Sequence, residues 1–343
     1  MNKADANTSL KTVQPIQPPP SPLSHGSNVG ERYQCFLDRL PPLKTLILIN
    51  PMLVPKAVFE PMIARKKGYY IFPPLGLLYL AAIARDVDPS IKLHVVDLNF
   101  EMLMNAQEEG FDYDFWEGRL AELIENCESP YIGITYMFES NKDTFTEIAN
   151  FIRTKFPSVP LIGGGVQATY DYEELIEVLG LDGVIRREGE NQFKIFLQNV
   201  LKKDKASIPE GMAFSHEGKV GELDPSSEEV PVGTNITPVY PLIPIEDYYR
   251  YGSLAAFSRF NGDEKPFATL LGIRGCRAFC TFCTVRDFNG KGLRDRDVES
   301  IIDELRFLHY EKGIMQIDWL DDDLLWNRDR ALLLFKRMTE ELP

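Results

Sequence analysis

Three of the chain's five cysteines stand together. Residues 275–285 read GCRAFCTFCTV, which places Cys276, Cys280 and Cys283 at the spacing C-x3-C-x2-C. Thiolates are soft ligands that suit iron–sulfur clusters or zinc. A closed structural zinc site takes four ligands, commonly as C-x2-C pairs. No histidine lies close enough in sequence to complete one, because His309 falls inside the next predicted helix. Three thiolates on a four-iron cluster would leave one iron open to bind and activate a small molecule. Cys35 and Cys127 are isolated and default to core or surface positions. A run of carboxylates, Asp321-Asp322-Asp323, ends a predicted strand. Parallel α/β folds gather ligand contacts at such ends, and acids there also suit the N-terminus of a following helix. Arg294 and Arg296 follow the cysteine segment. They can pair with a ligand carboxylate or with Glu299 and Asp303.

These side chains need a frame. From Leu43 onward, short apolar runs occupy 45–50 (TLILIN), 92–97 (KLHVVD), 131–136 (YIGITY), 159–163 (VPLIG) and 182–186 (DGVIR). Helical patterns lie between and after them, near 74–87, 112–127, 142–155, 171–179 and 190–202. Near-continuous apolar strands separated by helices predict a parallel sheet buried on both faces. The fold class is therefore α/β, with a doubly wound, Rossmann-like sheet over 43–222 that a hairpin at 211–222 closes. Residues 223–266 are rich in proline and acids yet carry Tyr240, Tyr248, Tyr249 and Tyr251. They read as a linker that packs on a neighbour. A second βα series fills 267–343, with strands at 267–273 and 314–320 and helices at 297–312 and 328–341. Two βα units cannot close a barrel alone. Residues 1–30, with Pro15, Pro18, Pro19, Pro20 and Pro22 among polar neighbours, read as a disordered leader.

Ligands of such sheets bind beyond the carboxyl ends of the strands. Asn50-Pro51 follows the first strand, and Pro74-Leu75-Gly76 opens a helix. Thr135 and Tyr136 end the third strand. Gly163-Gly164-Gly165 and Gln167 follow the fourth, and Glu188-Gly189-Glu190 follows the fifth. A glycine triplet there permits close approach of a ligand, and equally a tight turn into the next helix. The loop after the first strand lacks a Ser/Thr-rich flavin-phosphate loop, the paired acids of a receiver domain and the G-x-G-x-x-G of a dinucleotide fold.

The cysteine spacing, Phe282 before the third cysteine and the strand–loop–helix setting resemble the radical S-adenosylmethionine (SAM) superfamily. That resemblance implies a 4Fe–4S cluster on Cys276, Cys280 and Cys283, with SAM chelated at the open iron and cleaved to a 5′-deoxyadenosyl radical. It implies that Asp321, Asp322 or Asp323 meets the SAM ammonium. The strand-end features resemble the cobalamin-binding domain that precedes many such cores. On that resemblance Asn50, Pro74, Gly76, Thr135, Tyr136, Gly163, Gly164, Gly165, Gln167, Glu188, Gly189 and Glu190 would face cobalamin. The D-x-H-x-x-G pattern of methionine-synthase-type domains is absent, so the lower face of cobalt would lack histidine. Gln167 stands where the family often has one. The implied activity is methyl transfer to an unreactive carbon of a small molecule, with a reducing partner such as flavodoxin or ferredoxin. Cyclisation or rearrangement within the same branch is the alternative. The resembling cores are partial TIM barrels with more βα units than the two found here. A C-terminally truncated chain, or a piece that binds cofactors without turnover, is therefore also expected.

Composition narrows the field. The 343 residues include 37 Lys and Arg against 51 Asp and Glu, a net charge of −14. That balance disfavours a surface built for long nucleic acid. At 44% hydrophobic and 26% charged the chain can build real cores. No apolar run approaches the roughly 18 residues of a membrane span, and the N-terminus lacks a signal-peptide h-region. An odd number of cysteines argues against a disulfide framework and for a reducing, cytoplasmic setting.

Overall fold

The computed structural model describes residues 28–202, 207–223, 232–254, 265–290 and 292–342. The leader expected at 1–30 lies outside them except for its last three residues, and so do Pro225 and Pro231 of the linker. Five parallel strands form the frame: β1 (Thr45–Asn50), β2 (Lys92–Asp97), β3 (Pro130–Thr135), β4 (Leu161–Gly164) and β5 (Gly183–Ile185). The antiparallel hairpin β6 (Met212–His216) and β7 (Lys219–Glu222) extends the β5 edge, giving the order β2-β1-β3-β4-β5-β6-β7. The order reverses between β1 and β3, the switch point at which doubly wound folds open a ligand crevice. The first five residues of β1 are buried, as its unbroken apolar run requires.

Among the described residues eight α-helices accompany this sheet: α1 (Asn28–Arg39), α2 (Pro61–Arg65), α3 (Leu75–Val87), α4 (Leu98–Asn105), α5 (Phe115–Glu125), α6 (Lys142–Lys155), α7 (Val166–Glu177) and α8 (Glu190–Lys202). Four depart from the sequence reading, and one of them, α2, is a five-residue helix in a stretch without a predicted helical pattern. Helix α1 starts inside the span read as leader, because Tyr33 and Phe36 pack their rings on Phe214 of β6. Helix α4 was not expected. Its sequence, LNFEMLMN, is apolar on nearly every side, so it shows no amphipathic period, and the Asp97 side chain caps it at Phe100 N. Helix α7 begins at Val166 rather than 171, directly after the glycine turn.

The second series contains β8 (Phe267–Leu270), β9 (Ile273–Arg274), α9 (Val285–Asn289), β10 (Arg294–Asp295), α10 (Val298–Arg306), β11 (Gln316–Trp319) and α11 (Arg328–Glu341). Strands β8 and β11 pair in parallel, as a βα unit demands. The strand expected over 267–273 is split, because the chain turns at Leu271–Gly272 before β9. The helix expected over 297–312 ends in a π-helical turn at Phe307–Glu311. A small core of Leu270, Ile301, Ile302, Leu305 and Leu334 belongs to this series. Phe267, Ala268, Leu308 and Ile314 join the main core instead, so apolar packing runs across both series.

Between them, residues 232–254 form two 3-10 turns, Thr237–Leu242 and Ile245–Arg250. Each buries one tyrosine whose hydroxyl donates to a buried carboxylate. Tyr248 donates to Asp97 (2.6 Å) at the end of β2, and Tyr240 donates to Glu304 (2.6 Å) on α10. Asp97 also accepts from Asn50 (2.9 Å), and Glu304 pairs with buried Arg296 (2.5 Å). The linker is thus tied to both series through groups that burial makes costly to leave unpaired. Tyr248→Phe is expected to cost about 1–3 kcal/mol, seen as a lower urea midpoint with unchanged far-UV circular dichroism. Tyr240→Phe should behave likewise.

Candidate functional site

The cysteine segment is the excursion between β9 and β10, which pair antiparallel as Arg294↔Arg274 and Asp295↔Ile273. Its two ends are pressed together. Gly275 has φ 86°, and a Cβ there would lie 2.2 Å from the Gly292 carbonyl oxygen. Only glycine fits that conformation and that contact. Within the loop, Ala278 N–H donates to Cys276 Sγ (3.4 Å), and a turn joins Cys283 N–H to the Cys280 carbonyl (3.2 Å). Cys276 is half-buried, Cys280 and Cys283 are exposed, and all are free thiols. Phe279 and Phe282 are 79% and 89% exposed, with the Arg286 guanidinium 3.7 Å from the Phe279 ring centre. Among the described residues no three Cys, His, Asp or Glu side chains converge as metal ligands. The donor set still fits an iron–sulfur cluster better than zinc. Three soft thiols share one loop, and His309 is turned away onto the Ile314 carbonyl.

Both roots of this loop reach the first sheet. Arg294 grips Glu188 with two nitrogens (2.5 and 2.7 Å), and Arg274 pairs with Glu190 and lies 3.7 Å from Glu188. All four side chains are nearly buried. The carboxylates expected at a cofactor are therefore engaged by arginines beside the cysteines. Arg294 and Arg296 also differ from expectation. Neither meets Glu299 or Asp303: Arg294 holds Glu188, and Arg296 holds Glu304 and Ser300. Farther out, Tyr170 of α7 donates to Asp287 of α9 (2.9 Å), a second bridge between glycine turn and cysteine loop.

The three acids after β11 have three different surroundings. Asp321 accepts from Gly272 N–H (3.0 Å). Burial pushes its carboxyl up to about 6, against the lowering effect of the Gly272 and Ile273 amides. Asp323 pairs with Arg277 of the cysteine loop (2.8 Å). Asp322 is exposed and makes no hydrogen bond or ion pair with a described residue, and partial desolvation raises its pKa. None of them caps α11, whose N-cap is Asn327, accepting from Arg330 N–H (3.1 Å).

At the carboxyl edge of the first sheet, Asn50 turns sideways to Asp97. Pro74 is the N-cap of α3, and a Cβ on Gly76 in its first turn would meet nothing within 4 Å. Tyr136 is buried, its hydroxyl donates to Glu139 (2.9 Å), and burial raises its pKa. The Tyr136 carbonyl accepts from Gln167 N–H (3.0 Å) and Ala168 N–H (3.2 Å). Gly165 has φ 111°, and a Cβ there would sit 2.7 Å from that carbonyl and 3.1 Å from Thr135 Oγ1. A Cβ on Gly163 would strike Leu181 at 2.8 Å. Gly165 is thus explained by a tight turn whose first amides are already satisfied and Gly163 by packing on Leu181, whereas a Cβ on Gly164 would make only an ordinary 3.6 Å contact with the Ile185 carbonyl. The Gln167 side chain donates to Asp171 (3.0 Å). Around it the loops leave Met137, Phe138 and Tyr70 exposed, and α7 leaves Tyr170 exposed, an apolar rim to the edge. The described histidines stand in β2 (His94), at the far end of β6 (His216) and in the π turn (His309), none of them at this edge.

Tyr170, Asp287 and Arg274 escaped the sequence reading. Arg274 carried the best signal, as the residue just before Gly275-Cys276. Since the folded-state pKa of Asp321 is raised, its protonated form favours the fold, and its contribution falls as pH climbs from 3.8 to about 6. Carboxyl carbon NMR should show Asp321 titrating near pH 6, and Asp321→Asn should remove that part of the stability loss.

Residues 62–197 match the family model of the B12 binding domain. The chain is 29% identical to an uncharacterized methyltransferase of Pyrococcus horikoshii, over 78% of this chain and 53% of that protein. It is 26% identical to cytidylyl-2-hydroxyethylphosphonate methyltransferase of Streptomyces wedmorensis, over 78% of this chain and 54% of that one. The chain spans about half the length of these curated relatives. Among solved structures, it shares its fold with the radical S-adenosylmethionine methyltransferase TsrM of Kitasatospora setae, solved with cobalamin and a 4Fe–4S cluster bound. The TM-score is 0.61 and the identity 19%, over 87% of this chain and 51% of that one. Among the described residues no helix is long and apolar enough to cross a membrane. The chain thus carries a B12 binding domain at residues 62–197 and shares its overall fold with a solved, cobalamin-bound radical SAM methyltransferase.

Proposed function

We propose that this chain is the cofactor-bearing part of a cobalamin-dependent radical SAM methyltransferase acting on an unreactive carbon of a small molecule. The single observation that carries the reading is the clamping of a three-cysteine loop to the strand-end edge of a B12 binding sheet. The division is taken as residues 43–222 for cobalamin, 223–266 as linker and 267–343 for the cluster and SAM. Held by the three cysteines and by the strand-end loops of the first sheet, a cluster with SAM would supply radical hydrogen abstraction and cobalamin would supply a methyl group. Cys276, Cys280 and Cys283 are the ligands. Asp322 is the acid with an open carboxylate and so the best acceptor for the SAM ammonium. Gly76 and the rim of Met137, Phe138 and Tyr170 offer room and apolar contact for a large planar ligand. A flavodoxin or ferredoxin would supply electrons. The unpaired cysteines fit a cytoplasmic setting. Methyl transfer is placed ahead of cyclisation because the two relatives above are named methyltransferases, while a third, 24% identical over 82% of this chain, is named an anaerobic magnesium-protoporphyrin IX monomethyl ester cyclase of Synechocystis.

The test is anaerobic reconstitution with iron, sulfide and cobalamin, followed by reductant and SAM and an assay for 5′-deoxyadenosine. Nucleoside should form with the wild-type chain and vanish with Cys280→Ala. Asp322→Asn should raise the SAM requirement about tenfold, the size of one charge-assisted hydrogen bond. Zinc bound in place of iron would overturn the reading.

A further inference from the structure

The two strands that root the cysteine loop each carry one arginine, at facing positions Arg274 and Arg294. Both guanidinium groups meet Glu188 on the segment after β5, and Arg274 also pairs with Glu190. The cluster has two positive and two negative groups, so its charges balance. Its side chains are 8–12% exposed, so water screens it little. The Arg294–Glu188 contact is a two-pronged fork, which fixes orientation as well as distance. Arg294 also donates to the Asn289 carbonyl (2.8 Å) at the end of α9, so the fork holds the loop's far limb too. Arg274 lies over the Tyr79 ring of α3, 5.5 Å from its centre. On the other side, the Glu188 segment is itself held. Arg187 sits at φ 60°, uncommon for a residue with a Cβ, and its N–H donates to Thr169 Oγ1 (2.7 Å) on α7.

The geometry points to a positioning role for these four residues. They form a polar latch that sets where the cysteine loop stands relative to the strand ends of the B12 binding domain. Packing alone would hold the two series together through their shared core. It would not fix the loop, whose Cys280, Cys283, Phe279 and Phe282 project away from the core. The latch rests on the functional reading for its consequence, the spacing between two cofactors. Its existence as a control on loop order does not rest on that reading.

The chain without cofactors tests it first, by hydrogen exchange. Glu188→Gln should speed exchange of amides 276–290 by about tenfold or more, as expected when a buried charge pair is broken locally. Amides of β1 and β3 should keep their protection. A double substitution, Glu188→Leu with Arg294→Leu, keeps both positions buried without charge and guards against simple misfolding. It should leave the β1 and β3 amides protected and the loop exposed. Unchanged loop exchange in the double variant, or equal loss of protection in loop and core strands, would overturn the latch. In chain loaded with cluster and cobalamin, pulsed EPR between reduced cluster and Co(II) should give one sharp distance for wild type and a broadened one for Glu188→Gln. Failure of wild type to load iron would sink the proposed function while leaving the exchange result to decide the latch.

Discussion

The fork between Arg294 and Glu188 is the contact on which the candidate site depends. It joins a strand at the root of the cysteine loop to the segment that follows β5 at the strand ends of the first sheet. A buried ion pair adds little net stability, because desolvating both partners costs nearly what their attraction returns. Its value lies in direction. A guanidinium meets a carboxylate in one plane and at one spacing, whereas apolar surfaces slide past one another. Arg274 and Glu190 repeat the device beside it, so the loop is held at both roots.

The linker solves a related problem with neutral donors. Tyr248 and Tyr240 stand eight positions apart on successive 3-10 turns, and each carries a hydroxyl to one oxygen of a buried carboxylate whose other oxygen is held elsewhere, by Asn50 for Asp97 and by Arg296 for Glu304. One carboxylate ends a strand of the first sheet and the other lies on a helix of the second series. The tyrosines that distinguish residues 223–266 from an ordinary free linker are thus the groups that set its path. The same pattern of polar satisfaction explains the glycine turn. The Tyr136 carbonyl, not a ligand, takes the first amides of α7, and Gly165 is glycine because that carbonyl stands where a side chain would begin.

Much of this was legible in the chain. Strands β1 and β2 and helices α6, α8 and α11 fall on the residues where apolar runs and helical periodicity predicted them, because both signals are local. The cysteine spacing was legible for the same reason. Helix α4 was not, since a helix apolar on most sides carries no periodicity. The start of α7 was not, since Val166 and Gln167 are set by a turn whose partner, Tyr136, is thirty positions away. Glu188 and Glu190 were legible as carboxylates at strand ends but not as partners of arginines.

The sequence by itself determined the α/β class, the parallel sheet, the three-thiol loop and the acids that follow β11. Each of these is written in the spacing of neighbouring residues. Only the tertiary structure decided which acid is left open, as Asp322 is, and which are used, as Asp321 and Asp323 are. It alone matched Glu188 to Arg294 across 106 positions. Charge pairing has no period along a chain, and a buried carboxylate takes whichever cation the fold delivers to it.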